Sequence, residues 1–382
     1  MSKINELIKE MCPNGVEYVK LEELVDYIQP AKYIVKNTNY DIKYDVPVLT
    51  AGQTFILGYT NEKDGIYYAS ADNPVIIFDD FTTSNHWVDF NFKVKSSAMK
   101  ILISKTDNLF KYIYYCISNI DYVPKEHSRQ WIQVYSQFPI PLPPLKVQEK
   151  IVRILDKFGE LEAELEAELE ARKTQYEFWR GKLLNSGNSN QQYITLGDIG
   201  KVCMCKRIMK NETSDSGDVP FYKIGTFGKQ ADAYISYDIF NDYKKRFSYP
   251  KKGEILVSCS GTIGRSVVFD GNDAYFQDSN IVWLSNDERK ILNKFLYYFY
   301  QTSPWNISDG GTIKRLYNNQ FISTKVPLYS LEKQKMIVSI LERFDKLIND
   351  ISEGLPAEIE LRRKQYEYYR NKLLSFEELY YE

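Results

Sequence analysis

The 382-residue sequence has no apolar run approaching the roughly eighteen residues that a membrane-crossing helix requires. The opening MSKINELIKEM carries no secretory leader pattern. A helical membrane protein and a secreted one are therefore both excluded from expectation. Cysteine is sparse, scattered and odd in number: Cys12, Cys116, Cys203, Cys205 and Cys259 read as reduced thiols of a cytoplasmic protein. Histidine is scarcer still. His86 and His127 lie far from each other and from the Cys203-x-Cys205 pair, which is poor material for zinc, so no metal is expected on this chain. Asp79-Asp80 is read as a turn cap rather than a metal-holding pair. Gly261-Thr-Ile-Gly264 lacks the setting and glycine count of a nucleotide loop. There is no Asn-Pro-Pro-Tyr-like tetrapeptide of the kind adenine methyltransferases place against the target base. Catalysis is accordingly not expected of the chain by itself. Nor does one sign of charge dominate: 49 basic residues face 51 acidic ones, so the whole chain is no simple polycation and any nucleic-acid binding must come from local patches.

What is present is an ordinary globular composition, 43% hydrophobic and 26% charged, on a chain long enough for two or three domains. Tyrosine is abundant, at 31 residues, and suits polar-tipped contact surfaces. Charge is unevenly spread, with a net −2 over residues 1–146, +4 over 187–330 and −2 over each of 147–186 and 331–382.

The chain also repeats itself. QEKIVRILDKF (148–158) matches QKMIVSILERF (334–344) at six of eleven positions, and RKTQYEFWRGKLL (172–184) matches RRKQYEYYRNKLL (362–374) at eight of thirteen. Fainter echoes occur in the same order: YVKLEEL with YITLGDI, DVPVLTAG with DVPFYKIG, KYIYYCIS with KFLYYFYQ. The organisation is variable module (1–146), helix (147–186), variable module (187–330), helix (331–382). Duplication with diverging modules suggests a shared job performed on different ligands.

In the first helix, Val147, Ile151, Ile154, Phe158, Leu161 and Leu165 are spaced 4-3-4-3-4. Leu169, Tyr176, Trp179 and Leu183 continue the line, giving a coiled-coil seam with one stutter. Ile337, Leu341, Phe344, Ile348, Ile351, Leu355, Tyr366, Tyr369 and Leu373 repeat it in the second. Ser330 is placed to cap the start of the second helix, which Gly354 and Pro356 are expected to kink. The simplest partner for each helix is the other one, running antiparallel, with self-association between chains as the rival. The fold class expected is α+β: two similar mixed α/β modules separated by two long antiparallel helices, related by an approximate twofold axis. Residues 147–184 span about 57 Å as a helix. Within them ELEAELEAELEA places Glu160, Glu162, Glu164, Glu166, Glu168 and Glu170 in one tract, a face suited to spacing rather than to binding phosphates. Each module mixes strands and short helices. Pro74–Phe78 and Glu254–Ser258 read as buried strands, and Trp87–Val94 as an alternating one. GEILVSCSGTIGRSVVF (253–269) reads as two strands around a glycine turn, and NLFKYIYYCIS and NKFLYYFYQT as late helices.

These helices, with ELEAELEAELEARKTQYEFWRGKLL and ISEGLPAEIELRRKQYEYYRNKLL, resemble the two conserved regions of specificity subunits of Type I restriction-modification systems. PIPLPPLKVQEKIV (139–152) and VPLYSLEKQKMIV (326–338) resemble the approaches to those regions, although the second lacks the PLPPL of the first. DDFTTSNHWVDFNFKVKSSAMKIL (79–102) and SGTIGRSVVF (260–269) are similar to stretches of the family's target recognition domains. The resemblance implies that each module reads one half of a split, asymmetric site in double-stranded DNA. It further implies that the helices fix the spacing and dock two methyltransferase subunits, to which restriction/translocase subunits are added. S-adenosylmethionine, ATP and Mg2+ would then belong to those partners, with no cofactor and no membrane association on this chain. Each ELEA unit adds roughly 6 Å of helix against about 3.4 Å per base pair, so one unit is worth one or two base pairs of separation.

Base reading needs paired donors or acceptors and phosphate anchoring needs Lys or Arg. The candidates in the first module are Thr82, Thr83, Ser84, Asn85 and His86, then Lys93 and Lys95, and Arg129 and Gln130 beside Ser128 and Trp131. In the second they are Lys206, Arg207 and Lys210, the run Lys244, Lys245 and Arg246, Thr262 and Arg265 at the glycine turn, and Thr312, Lys314 and Arg315. Leu161, Leu165, Leu169, Tyr176, Trp179, Arg180, Tyr366, Tyr369 and Arg370 are the spacer and subunit-docking candidates. Two other readings are open: a coiled-coil adaptor between proteins without DNA specificity, and a stand-alone nuclease or methyltransferase.

Overall fold

The structure, a computed structural model, describes residues 2–379 apart from 51, 53, 186–190 and 308–313. In chain order the first strands and helices are α1 (Ser2–Met11), β1 (Glu17–Lys20), α2 (Leu21–Leu24), β2 (Val25–Ile28), β3 (Val46–Leu49), β4 (Ile56–Thr60), β5 (Val75–Asp79), β6 (Asn85–Val88), β7 (Lys93–Val94), β8 (Met99–Ser104), α3 (Phe110–Ser118) and β9 (Pro139–Leu142). The long helix α4 (Leu145–Leu184) follows. Then come β10 (Tyr193–Thr195), β11 (Gly200–Cys203), β12 (Val219–Tyr222), β13 (Tyr234–Ile235), α5 (Tyr237–Arg246), β14 (Ile255–Ser258), β15 (Ser266–Val268), β16 (Tyr275–Phe276), β17 (Ile281–Asn286), α6 (Asn293–Tyr300), α7 (Asn318–Ser323), β18 (Lys325–Pro327), α8 (Leu331–Asn349) and α9 (Leu355–Leu373). The chain divides into two compact units, one of Met1–Leu165 with Ile359–Glu382 and one of Glu166–Glu358.

The two units share one strand topology. The first has a four-stranded sheet in the order β2-β8-β5-β6, a three-stranded sheet β4-β3-β7, and the ribbon β1-β9. The second has β11-β17-β14-β15, β13-β12-β16 and β10-β18. Even the parallel pairs correspond, β3 with β7 and β12 with β16. The faint sequence echo between the modules is thus a full structural repeat, because a fold tolerates wide substitution while its apolar pattern is kept. Val75–Phe78 are buried without remainder in the interior strand β5, as an unbroken apolar run implies. In the second unit Ile255–Ser258 form the equivalent β14. The expected single strand over Trp87–Val94 is instead two. The chain leaves the four-stranded sheet after Val88 and joins the other sheet at Lys93, with Phe92 bonded to Tyr67 on the way.

In each unit the long-helix motif is bolted to the module by one glutamine. Gln148 accepts from the backbone N–H of Leu109, just before α3, and donates to the Pro143 carbonyl and to Asn108. Gln334 does the same to Leu292, just before α6, and to the carbonyls of Lys290 and Tyr329. Within the first unit α9 runs antiparallel to α4: Phe158 stacks on Tyr369 at 5.5 Å and Arg363 pairs with Glu162. Within the second, Tyr176 packs on Phe344 at 6.1 Å.

The expected seam drifts. Val147 and Ile151 are buried, but Leu155 and Leu184, which it omits, are fully buried too, while Trp179 is 36% exposed. The second helix is broken rather than kinked. The α8 helix stops at Asn349, the Asp350 carboxylate accepts from the Ser352 and Glu353 amides, and Gly354 sits against the carbonyls of Lys346, Leu347 and Asp350. Pro356 then occupies the first turn of α9, where its missing N–H costs nothing. Ile351, expected in the seam, is left 86% exposed by that turn. Ser330 does cap α8, accepting from the Lys333 amide at 3.2 Å. Among the described residues no helix is long and apolar enough to cross a membrane.

Candidate nucleic-acid interface

The candidate loops of the first unit meet at the β5–β6 hairpin. Asp79 shapes its turn, its carboxylate accepting from the amides of Phe81 (2.8 Å) and Thr82 (3.0 Å). That is the capping role expected of the acid pair. Thr83 stands in the left-handed region at φ 62°, a strained setting for a β-branched residue. Thr82 and Ser84 share a hydroxyl contact at 3.0 Å, Ser118 donates to the Asn85 side chain, and His86 stacks on Phe55 at 4.3 Å. Asp80 ties the segment 128–131 to this turn. Its carbonyl accepts from the Gln130 amide (2.8 Å) and its carboxylate from the Trp131 amide (2.9 Å), while Phe81 stacks on His127. The two candidate groups, Thr82–His86 and Arg129–Gln130, are therefore neighbours in space. Gln130 is buried and its amide is spent on Ser128 and Tyr122, whereas Arg129 is exposed.

Lys93 is not a surface cation. It is 1% exposed, pairs with Glu62 at 3.1 Å and donates to the Asp64 carbonyl. Burial raises the Glu62 carboxyl, but backbone amides of Asn37 and Lys36 and the Lys93 ammonium outweigh it and hold the group below its usual range. Lys95 is exposed, with its ammonium over the Tyr40 ring.

In the second unit the equivalent hairpin is β14–β15. Ser258 donates to the Thr262 carbonyl and accepts from the Arg265 amide; Gly261 and Gly264 supply the positive φ values of 64° and 85°. Gly264 also faces the Trp305 indole so closely that a Cβ would collide with it. Thr262 is exposed at the tip, and the Arg265 guanidinium donates back to the Phe227 carbonyl. Arg315 lies alongside, bridged through its backbone to Ser260 and donating to the Ser279 carbonyl at 2.7 Å. Arg207 pairs with Asp278 at 3.0 Å, and Arg207, Lys210 and Arg315 all line one cleft of about 630 Å³. Lys206 and Arg246 both lie over the Phe247 ring, each at 5.2 Å. Lys244 pairs with Asp273, and Lys245 is exposed. Lys314 is exposed; Thr312 lies outside the described residues.

The turns differ by two residues in length, but the backbone bonds just before them correspond. Asp80 donates to the Ala98 carbonyl and accepts from Gln130; Cys259 donates to the Asn280 carbonyl and accepts from Leu316. Arg129 and Arg315 consequently hold the same place beside their turns. The loop Asp278–Asn280, which completes the second cleft, carries no sequence signal beyond polarity, and its role emerges only from the fold.

The helix motif QYE-x-x-R clamps each helix to its own unit. Arg180 lies over the Tyr176 ring and reaches Gln301 at the end of α6; Arg370 lies over Tyr366 and bonds Asn119 at the end of α3 at 2.9 Å. Leu161, Leu165 and Leu169 are half-buried. Phe178 (60% exposed) and Tyr368 (59%), at equivalent positions, remain on the surface with Lys182 and Lys372 over their rings. Burial pushes the Cys116, Cys205 and Cys259 thiols up to about 12, which leaves them inert as nucleophiles. Among the described residues no cluster of three or more His, Cys, Asp or Glu could hold a metal ion.

Comparison with known proteins agrees with this duplicated architecture. The Type I restriction modification DNA specificity domain matches twice, over residues 13–171 and 188–361. The chain belongs to that family. It is a Type I specificity subunit, and it aligns end to end with others. The specificity subunit EcoR124I/EcoR124II of Escherichia coli is 40% identical over 401 residues, covering 98% of each chain. A Haemophilus influenzae protein, provisionally named a type I restriction enzyme specificity subunit, is 45% identical over 380 residues, covering 94% of this chain and 96% of its own. The S subunit of the Type I system of M. genitalium shares the fold at a TM-score of 0.54 and 15% identity, over 94% of this chain and 96% of that one. A chain from a structural study of assembly and conformational transition of the type I R-M system gives 0.56 and 14%, over 95% and 98%.

Proposed function

We propose that each unit of this specificity subunit reads one half of a split DNA site, and that the helical segments set the spacing and dock two methyltransferase subunits. The observation that carries the reading is the repeated hairpin: one scaffold, built twice, presents Thr82, Ser84 and Asn85 with Arg129 in one unit and Thr262 with Arg315 in the other, while Thr83 is buried. Equivalent strands carrying different turns and side chains suit two different sequences. An arginine fork fits the paired acceptors on a guanine edge, threonine and asparagine suit base edges or phosphates, and Lys95, Lys206, Lys210 and Lys245 suit phosphates. Recognition then rests on local patches, in keeping with the near-neutral chain, and binding weakens steeply with salt. The exposed aromatic and lysine pairs Phe178–Lys182 and Tyr368–Lys372 suit protein contacts, and their duplication suits two copies of one partner. Chemistry belongs to the partners: methyl transfer from S-adenosylmethionine to adenine on the methyltransferase subunits, ATP- and Mg2+-dependent cutting on restriction subunits.

The test is co-expression with the cognate methyltransferase subunit, followed by long-read mapping of methylated sequences. A two-part motif is expected, and Arg129→Ala should relax one half of it by about tenfold or more, the discrimination of one base-edge contact, leaving the other half intact. A complex that shows no sequence-dependent protection would instead favour the protein-only adaptor.

A further inference from the structure

One buried arrangement in the first unit is not explained by stability. Asp80 and Lys100 are 1% and 0% exposed, and they form an ion pair at 3.4 Å beneath the β5–β6 turn. Lys100 interrupts the buried run Met99–Leu102 of the interior strand β8, and its ammonium also lies over the Tyr27 ring at 4.8 Å. Placing two charges out of water costs more than their attraction returns unless geometry and hydrogen bonds are excellent, so replacement by an apolar pair is commonly neutral or stabilising. The second unit has made that replacement. Register pairs Phe78 with Lys100 and Val257 with Val282, and the backbone bonds equate Asp80 with Cys259. The same two positions are thus Asp and Lys in one unit, Cys and Val in the other, with Cys259 and Val282 each 1% exposed. The scaffold does not require the charges.

What differs is the segment above them. In the first unit the Asp80 carboxylate accepts from the Trp131 amide at 2.9 Å, immediately after Arg129 and Gln130. A cysteine cannot do this. In the second unit the matching amide, that of Tyr317, is met from its own segment by the Gln320 side chain at 2.9 Å, and the Arg315 guanidinium donates to the Ser279 carbonyl. Arg315 is half-buried with one guanidinium nitrogen engaged in that bond, whereas Arg129 is exposed beside a segment held by Asp80.

We infer that Asp80 is a positioning residue for DNA reading by the first unit, with Lys100 as its buried counter-ion, freeing Arg129 to face the base edges. This rests on the proposed function above. The carboxylate's hydrogen bond, rather than its charge, sets where Arg129 stands. Lys100 is present to make a buried carboxylate tolerable.

Two double variants separate these roles. Asp80→Cys with Lys100→Val copies the second unit and removes the acceptor. Asp80→Asn with Lys100→Met removes both charges but keeps an oxygen for the Trp131 amide. Both should melt near or above the parent. In co-expressed complexes mapped by long-read methylation, the first should lose about tenfold or more of its discrimination at the half-site that Arg129→Ala alters, with the other half unchanged. The second should read the parental motif. Equal behaviour of the two variants, loss spread over both halves, or failure of either to fold would overturn the inference. A parent complex with no two-part motif would instead strike the proposed function, so the two failures are distinguishable.

Discussion

A buried polar side chain matters here by what it holds. Gln148 and Gln334 each satisfy the backbone at the start of α3 or α6, and their place in the repeated Q-x-x-I-V motif has a mechanical reason. Gln148→Leu should cost about 1–3 kcal/mol, the penalty of stranding the half-buried Leu109 amide. Urea unfolding checks this, and a change within error would show that the bond is replaceable. Lys93 makes the opposite point about surface reading. Its removal by Lys93→Ala should destabilise by about 1–3 kcal/mol, because the Asp64 carbonyl and the Glu62 carboxylate lose a buried donor while Glu62 keeps its bonds from Lys36 and Asn37. The salt dependence of DNA binding should not move. Since the folded Glu62 pKa lies below its unfolded value, its contribution is present above the unfolded pKa and is lost as pH falls through the folded one. Glu62→Gln should therefore flatten the acid limb of a stability–pH curve, and an unchanged limb would assign that limb to other carboxylates. Nothing in the sequence separates Lys93 from Lys95, because its partner lies 31 residues away and only the sheet brings them together. The hairpin groups were legible as polar turns. That Arg129 would be exposed and Gln130 buried was not, since it depends on Asp80 reaching across 51 residues to the Trp131 amide.

At the level of elements, the repeated helix motifs and strand runs were readable because apolar periodicity follows from burial. Boundaries were less so. The seam over Val147–Leu183 follows a 3.5-residue period, yet the helix ends pack on module cores instead of a partner helix, which draws Leu155 and Leu184 inward and turns Trp179 out. The break at 350–354 shows how local chemistry overrides a seam. Gly354, close against three carbonyls, has no room for a methyl group. Gly354→Ala should lower stability by about 1–3 kcal/mol, in the usual range for a strained turn, as read from thermal melting. A variant as stable as the parent would mean that α8 and α9 can rejoin as one helix. The ELEA tract, by contrast, is helical throughout, as its composition implies. Its leucines are half-buried and its glutamates mainly exposed, with ion pairs to Arg172 and Lys173 on its own helix.

For the whole molecule, a duplicated sequence has folded into two units of one topology, each with a hairpin, an arginine beside it and a clamped helix. Under the proposed function these form a reader of two half-sites whose separation depends on helix length. One measurement bears on this directly: methylation-motif mapping in cells carrying the system with Glu164–Ala167 deleted, beside the parent. Four residues remove roughly 6 Å of helix, so the same two half-motifs are expected with a gap one or two base pairs shorter. An unchanged gap, or a motif that is continuous in the parent, would contradict the account.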